Sequence, residues 1–381
     1  MSANSDKKAP RLRFIDMARA VAILLMLEGH FVHLTLGEEY RIRGVFIHDI
    51  WQHMRGLAAP MFFTVTGLIF AYLLCGTPAN EPYFKSRRAQ RGAIRVAELM
   101  FWGYALQFHP ALLTGTMKIH SESWLIAFHV LQCIACGLIA MICIFGLLRG
   151  FGIRILLPAF LLCGFSLFLL DQILQNLQGY WPASAPAIIQ NFVKGPTSHF
   201  SIAPWLGFTL YGAAIGTWVR HHEQSKGCMI HPAPLLIIGF ILSRIGWPMD
   251  NHIACGFLDL IGYEAANRET SFYFHSRFGE ALLLIGLLAC FDKWVKLETT
   301  WFEKIGRNTF SIYVVHVIVL YGGLFGIGIN DLWTRSLNPW QAALGALLFM
   351  VAFGLMAQCI DPLRDWLKSK RPTCLGGRRP Q

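Results

Sequence analysis

The chain has 381 residues, of which 55% are hydrophobic and only 14% charged, with a mean hydropathy of +0.46. A soluble domain of this size carries nearer a quarter charged residues, so most of this chain does not face water. The net charge of +11 does not mark a nucleic-acid binder, because Lys and Arg fall in short clusters between apolar runs and not on one contiguous basic face.

A membrane span needs about 20 mostly apolar residues. Candidate spans run over residues 14–36, 56–75, 96–112, 124–148, 155–172, 201–219, 233–248, 278–292, 309–325 and 341–360. The expected fold is therefore all-α, a polytopic transmembrane bundle of about ten helices. The basic clusters lie in the N-tail, in Lys85 to Arg95, Arg149 to Arg154, Arg220 to Lys226 and Lys293 to Arg307, and in the C-tail. Placing all of these in the cytoplasm satisfies the positive-inside rule and puts both termini there. The expected division is a cytoplasmic N-tail over 1–13, one transmembrane domain over 14–362 and a basic cytoplasmic C-tail over 363–381. The run after Arg13 lacks a small-residue cleavage site and is expected to remain as an anchor.

Several breakers mark helix ends: Pro78 and Pro82 after the second run, Pro182, Pro186 and Pro196 in an outer loop, and Pro339 before the last run. Two long outer segments carry Trp181, Asn191, His199, Asp250, His252, Asp259, Glu264 and His275, which are expected to wall a polar outer cavity. Gly212 and Gly216 form a GxxxG, read as close helix packing. Seven of the ten cysteines lie inside or at the ends of apolar runs, so no disulfide framework is expected. Cys133 and Cys136 make a lone CxxC with no second pair, and no metal site is expected.

An ionisable side chain in hydrocarbon costs about 2.5 to 3.5 kcal/mol on insertion scales, so each one kept in a span needs a partner or a task. The first run keeps Asp16, Arg19, Glu28, His30 and His33. Asp16 and Arg19 are an i, i+3 pair that can neutralise itself. From Arg19 to His30 is about 16 Å along a helix, just over three turns, which sets the two on nearly the same face at opposite depths. A guanidinium near the cytoplasmic surface suits the phosphates of a nucleotide-like donor, and an imidazole in the outer half suits a base or acyl carrier. For either residue alone, snorkelling and interhelical hydrogen bonding are the plainer readings.

At these residues the chain resembles a family. RLRFIDMARAVAILLMLEGH is similar to the opening of integral-membrane acyltransferases, with the matching Arg and His at Arg19 and His30. IHDIWQHMRGLAAPMFFTVTG resembles a segment of the heparan-α-glucosaminide N-acetyltransferase-like group, in which His48, Trp51, Pro60, Phe62 and Gly67 match. SIAPWLGFTLYGAAIG, with Pro204 and Trp205, and FEKIGRNTFSIYVVHVIVLYG, with Gly306, Ser311, Tyr313 and His316, resemble later spans of the same group. His53 stands where the group usually has Gly, no acid lies between Trp51 and Pro60, and Ala20 replaces the Gly that commonly follows the first Arg.

The resemblance implies an acetyl-CoA-dependent acyltransferase that takes its donor from the cytoplasm and modifies a glycan or other small-molecule acceptor on the outer side. His30 and His48 are the expected catalytic residues, with Asp16, Glu28, Asp49, Trp51 and His316 in support and Arg19 and Arg307 on the donor. Asp49 stands beside His48 in the chain, where a carboxylate can orient an imidazole. Membrane lipids are the expected surroundings, a bacterial inner membrane the expected location, and a homo-oligomer is compatible with the sequence. Two other readings are carried forward: a transporter, which predicts broken helices and repeated halves, and a non-catalytic membrane subunit derived from the acyltransferase fold.

Overall fold

The computed structural model describes residues 12–77, 81–108, 127–176, 181, 185–195, 198–226, 231–260, 262, 273–294 and 300–369. Glu264, Pro78, Pro182, Pro196 and most of both tails lie outside them. The described chain is helical, and among the described residues the only β pairing is an isolated parallel bridge between Leu36 and Leu337.

The long helices are α1 (Arg13–Thr35), α2 (Phe46–Leu74), α3 (Arg87–Ala105), α4 (Val130–Leu148) and α5 (Ile153–Asn176), and, after the short α6 (Ala187–Lys194), α7 (Ile202–Lys226), α8 (Ala233–Leu260) and α9 (Phe274–Trp294). They are followed by α10 (Thr300–Arg307), α11 (Thr309–Tyr321), α12 (Ile329–Trp333) and α13 (Pro339–Ser369). Seven of these, α2, α4, α5, α7, α8, α9 and α13, are long and apolar enough to cross a membrane, which makes the chain an integral membrane protein.

The remaining three expected spans are helices of a different character. α1 carries Asp16, Arg19 and Glu28 and is packed inside the bundle. α3 is amphipathic: Arg87, Arg88, Arg91 and Arg95 crowd its first half, and Ser86 caps it by accepting from the Ala89 amide at 3.2 Å. α11 has only 13 residues, ending where Gly322 takes the left-handed φ of +69° that a side chain would resist. One expected span boundary also moves: α2 begins at Phe46 and not near residue 56. The apolar part of α13 runs over Pro339–Pro362, and the helix itself continues to Ser369.

Packing follows from small residues at the crossings. A Cβ added at Gly67 would overlap the carbonyl oxygen of Thr209, and one added at Gly212 or Gly216 would overlap the carbonyl of Thr64 or Leu68. The GxxxG is thus a backbone-to-backbone contact between α2 and α7, where van der Waals contact and not hydrophobic transfer holds helices together. α1 lies at the centre of the other half, touching α2, α9, α10, α11 and α13. Its outer end is tied to the α12–α13 connection by Gly37 N–H to Leu337 O at 2.9 Å, Leu337 N–H to Thr35 O at 2.9 Å and Arg335 N–H to Leu34 O at 3.0 Å.

Candidate functional site

The ionisable residues of α1 meet two neighbours, α11 and α2. Arg19 donates to the Thr309 hydroxyl at 2.7 Å, at the first residue of α11. About three turns further along α1 and about two turns further along α11 is a second meeting, where His30 Nδ1 lies 3.3 Å from His316 Nε2. The single helix α11 therefore receives both Arg19 and His30. At that distance one ring donates its N–H and the other accepts, so this contact is made when both imidazoles are neutral, while the buried His316 Nδ1 has no hydrogen-bond partner among the described residues. His316 is fully buried, and Tyr313 and Tyr321 stand around the pair, their rings 5.0 Å from His316 and 6.0 Å from His30 respectively.

Toward α2 the link is Glu28. Its carboxylate accepts from the Trp51 indole N–H at 2.8 Å. Trp51 in turn faces His48, with ring centroids 5.8 Å apart, and carries the Arg55 guanidinium 5.7 Å from its ring centre, within cation–π range. Arg55 fits because residue 29 is glycine: a Cβ there would lie 3.0 Å from Arg55 Cγ. His48 is buried, and neither of its ring nitrogens has a hydrogen-bond partner among the described residues.

The structure thus places His48, Trp51 and Glu28 in one group of contacts between α2 and α1, and His30 and His316 in a second between α1 and α11, with Arg19 on the same helix pair as His30. Asp49 does not join it as expected. Its carboxylate is exposed, sits 3.7 Å from His48 Nδ1 and accepts instead from the Gly44 amide at 3.2 Å, tying down the loop before α2. Arg307 is exposed at the end of α10, two positions before Thr309. Asp16 is buried, with its backbone against Gly306, where a Cβ would overlap the Asp16 carbonyl.

Arg55, Thr309 and Tyr321 were not singled out as site residues from the sequence. Arg55 carries the one available signal, an arginine a turn after Trp51 at the edge of the apolar part of α2; Thr309 and Tyr321 carry none.

Two other polar groupings serve the scaffold. The sequence places Asp250 and His275 on an outer polar cavity, but the structure buries both against each other. Asp250 accepts from the His275 backbone amide at 3.0 Å and from its Nδ1–H, leaving Nε2 to accept from the Tyr211 hydroxyl at 2.8 Å. Every polar atom of that ring is used, which locks α7, α8 and α9 together. His53, which departs from the family pattern, is likewise a tie between helices, 3.2 Å from Glu280 of α9 and 3.2 Å from Arg277.

With this geometry in view, the comparison with known families is decisive. Residues 11–247 match the family model described as heparan-alpha-glucosaminide N-acetyltransferase, catalytic. The chain belongs to this family. The heparan-alpha-glucosaminide N-acetyltransferase match takes in α1 through α7 and most of α8, and with them Arg19, Glu28, His30, His48 and Trp51. Thr309, His316 and Tyr321, the α11 partners of Arg19 and His30, come from the part of the chain beyond it. Among curated proteins none gives a significant match. Membership assigns the chain to the membrane acetyltransferases.

Proposed function

We propose that the protein takes an acetyl group from cytoplasmic acetyl-CoA and passes it to an extracytoplasmic glycan or a similar amine or hydroxyl acceptor. The observation that carries this reading is the catalytic-domain match over the helices that hold Arg19, His30 and His48. The buried His48 imidazole, whose nitrogens have no hydrogen-bond partner among the described residues, supports a role as base or acyl carrier.

In direct transfer, a neutral His48 nitrogen takes the proton from the acceptor O–H or N–H as that atom attacks the thioester carbonyl. The C–S bond breaks, the CoA thiolate takes the proton back from the imidazolium, and the products are the acetylated acceptor and CoA thiol. In the two-step form a neutral His48 nitrogen attacks the thioester carbonyl, the C–S bond breaks and CoA leaves as the thiolate; the acceptor O–H or N–H then attacks the acetyl carbon, the C–N bond to the imidazole breaks, and the acceptor's proton ends on the CoA thiolate. Either route needs the imidazole neutral at the start. Trp51, held by Glu28, orients the His48 ring, and the His30–His316 pair offers a second neutral imidazole site for proton exchange. Arg19 and Arg307 supply cationic groups on the donor side, suited to CoA phosphates. Residence in a bacterial inner membrane and assembly as a homo-oligomer belong to the same proposal.

The test is acetyl-CoA binding and consumption by the detergent-purified protein, comparing wild type with Arg19→Ala, His30→Ala and His48→Ala, all shown to be folded by size-exclusion profile. The proposal expects weakened binding for Arg19→Ala and lost turnover with retained binding for His48→Ala. A wild type that neither binds nor consumes acetyl-CoA refutes the donor assignment.

A further inference from the structure

At the end of the bundle where α2 and α7 finish, which the charge bias of the sequence assigns to the cytoplasm, a cavity of about 230 Å³ opens between the residue run after α2, the α4–α5 turn and the last turns of α7. It is separate from the His48 and His30 region, and its polar lining is Thr77, Arg149, Thr217, His221 and Gln224. Among the described residues no carboxylate lines it. Glu223, next in the chain to the lining residue Gln224, is engaged by Arg220 at 2.9 Å and by the Tyr72 hydroxyl at 2.7 Å.

The lining is organised as a set of donors. Arg149 is fixed from behind by donating to the Glu81 carbonyl at 2.6 Å and by stacking over Tyr83, with its guanidinium 5.4 Å from the ring centre. A guanidinium held in this way has less ordering left to do when it meets an anion. The Thr77 hydroxyl oxygen is buried with no hydrogen-bond partner among the described residues. A buried hydroxyl left without a partner is costly and calls for a ligand group or water. The His221 ring, whose Nε2 is 3.4 Å from the Ser225 hydroxyl, and the Gln224 amide, whose Nε2 reaches the Cys75 carbonyl only at 3.5 Å, add neutral polar groups beside the one fixed cation, a setting that suits an anion with several acceptor oxygens. The remaining lining, Phe145, Ile153 and Leu156, is apolar and suits the organic part of an ester.

We propose that this cavity binds a phosphate ester, with the phosphate on Arg149, His221 and Thr77 and the apolar group against Phe145, Ile153 and Leu156. The source is either an anionic phospholipid, whose headgroup basic pockets between helices are suited to hold, or a soluble phosphate compound. This site does not depend on the transferase reading.

The experiment is isothermal titration of the full-length protein, in a nonionic detergent, with dihexanoyl phosphatidic acid, dihexanoyl phosphatidylcholine and inorganic phosphate. Saturable binding of phosphatidic acid and not of phosphatidylcholine is expected. Arg149→Gln should weaken it about tenfold or more, the scale of one charge-assisted hydrogen bond. Because Arg149 also supports Glu81 and Tyr83, the second variant is Gly150→Leu, at a lining position where a Cβ meets nothing within 4 Å. It should occlude the cavity and weaken binding without disturbing the fold, while Arg87→Gln, at an exposed arginine outside the cavity, should leave binding unchanged. Binding of inorganic phosphate as well assigns a soluble source, and binding of phosphatidic acid alone assigns a lipid. No saturable binding of either phosphate probe to the folded wild type, equal binding of phosphatidylcholine, or binding unweakened in Arg149→Gln and Gly150→Leu overturns the proposal.

Discussion

Trp51 donates its indole N–H to the Glu28 carboxylate across 2.8 Å, and this bond joins α2 to α1 two residues from His30 and three from His48. Removing the donor while keeping an aromatic ring, as in Trp51→Phe, strands a half-buried carboxylate. A lost hydrogen bond to a charged group costs about 1.5 to 3 kcal/mol, so the variant should melt earlier in detergent. If Trp51 also orients His48, the turnover of Trp51→Phe should fall further than its binding of acetyl-CoA. Equal loss of both would mark a purely structural role.

The contact between His30 and His316 predicts a coupled pair. His30→Ala and His316→Ala should each lower acetyl turnover, and the double variant should lose little more than the worse single one, because the second change removes a group whose partner is already gone. A double-mutant cycle on turnover reads this. Additive losses would mean that the two rings act apart.

The α2–α7 crossing predicts a sharp steric limit. Gly67→Ala and Gly212→Ala place a methyl group on a facing backbone carbonyl that no rotamer change can relieve. Each should shift the melting midpoint far more than Gly256→Ala, where a Cβ meets nothing within 4 Å. The comparison of thermal midpoints by fluorescence in one detergent is sufficient, and equal midpoints would contradict the close approach.

His129, just before α4, gives a pH prediction. Burial, and secondarily the positive charge of His199 when that ring is protonated, lowers its pKa from the ordinary value of 6.5 to about 4, and the two rings stack with centroids 6.3 Å apart. The unfolded chain therefore binds more protons than the folded one between those values. Its contribution to stability is full above about pH 6.5 and is lost as the pH falls toward 4. His129→Gln should flatten the acid side of the stability profile relative to wild type, as read by melting midpoint against pH. A profile parallel to wild type would contradict it.

Much of the fold was legible in the chain because span length is fixed by the bilayer and apolar runs of that length are hard to hide. The boundaries were less so. Phe46, Ile47 and Ile50 extend α2 outward as an amphipathic turn with those three side chains exposed, and the intervening His48 and Asp49 interrupt the apolar run that signals a span. α11 read as a full span, but Gly322 ends it after 13 residues. Of the site, the spacing of Arg19 and His30 was visible as helical phase. That both land on α11 was not, because the contact of His30 with His316 joins residues 286 apart in the chain, which no local pattern encodes. Asp49 and His48 are neighbours in sequence, yet in a helix adjacent residues point about 100° apart, and the carboxylate serves Gly44 instead.

The most direct test of the central claim is acetyl transfer across a sealed membrane. Proteoliposomes carrying the protein are loaded with radiolabelled acetyl-CoA inside, given glucosamine outside, and assayed for labelled acetylglucosamine in the external medium, with His48→Ala vesicles as control. The account predicts external product that depends on wild-type protein and is absent with His48→Ala. External product formed equally by the His48→Ala protein, or no consumption of donor by folded wild type in vesicles of either orientation, would contradict it.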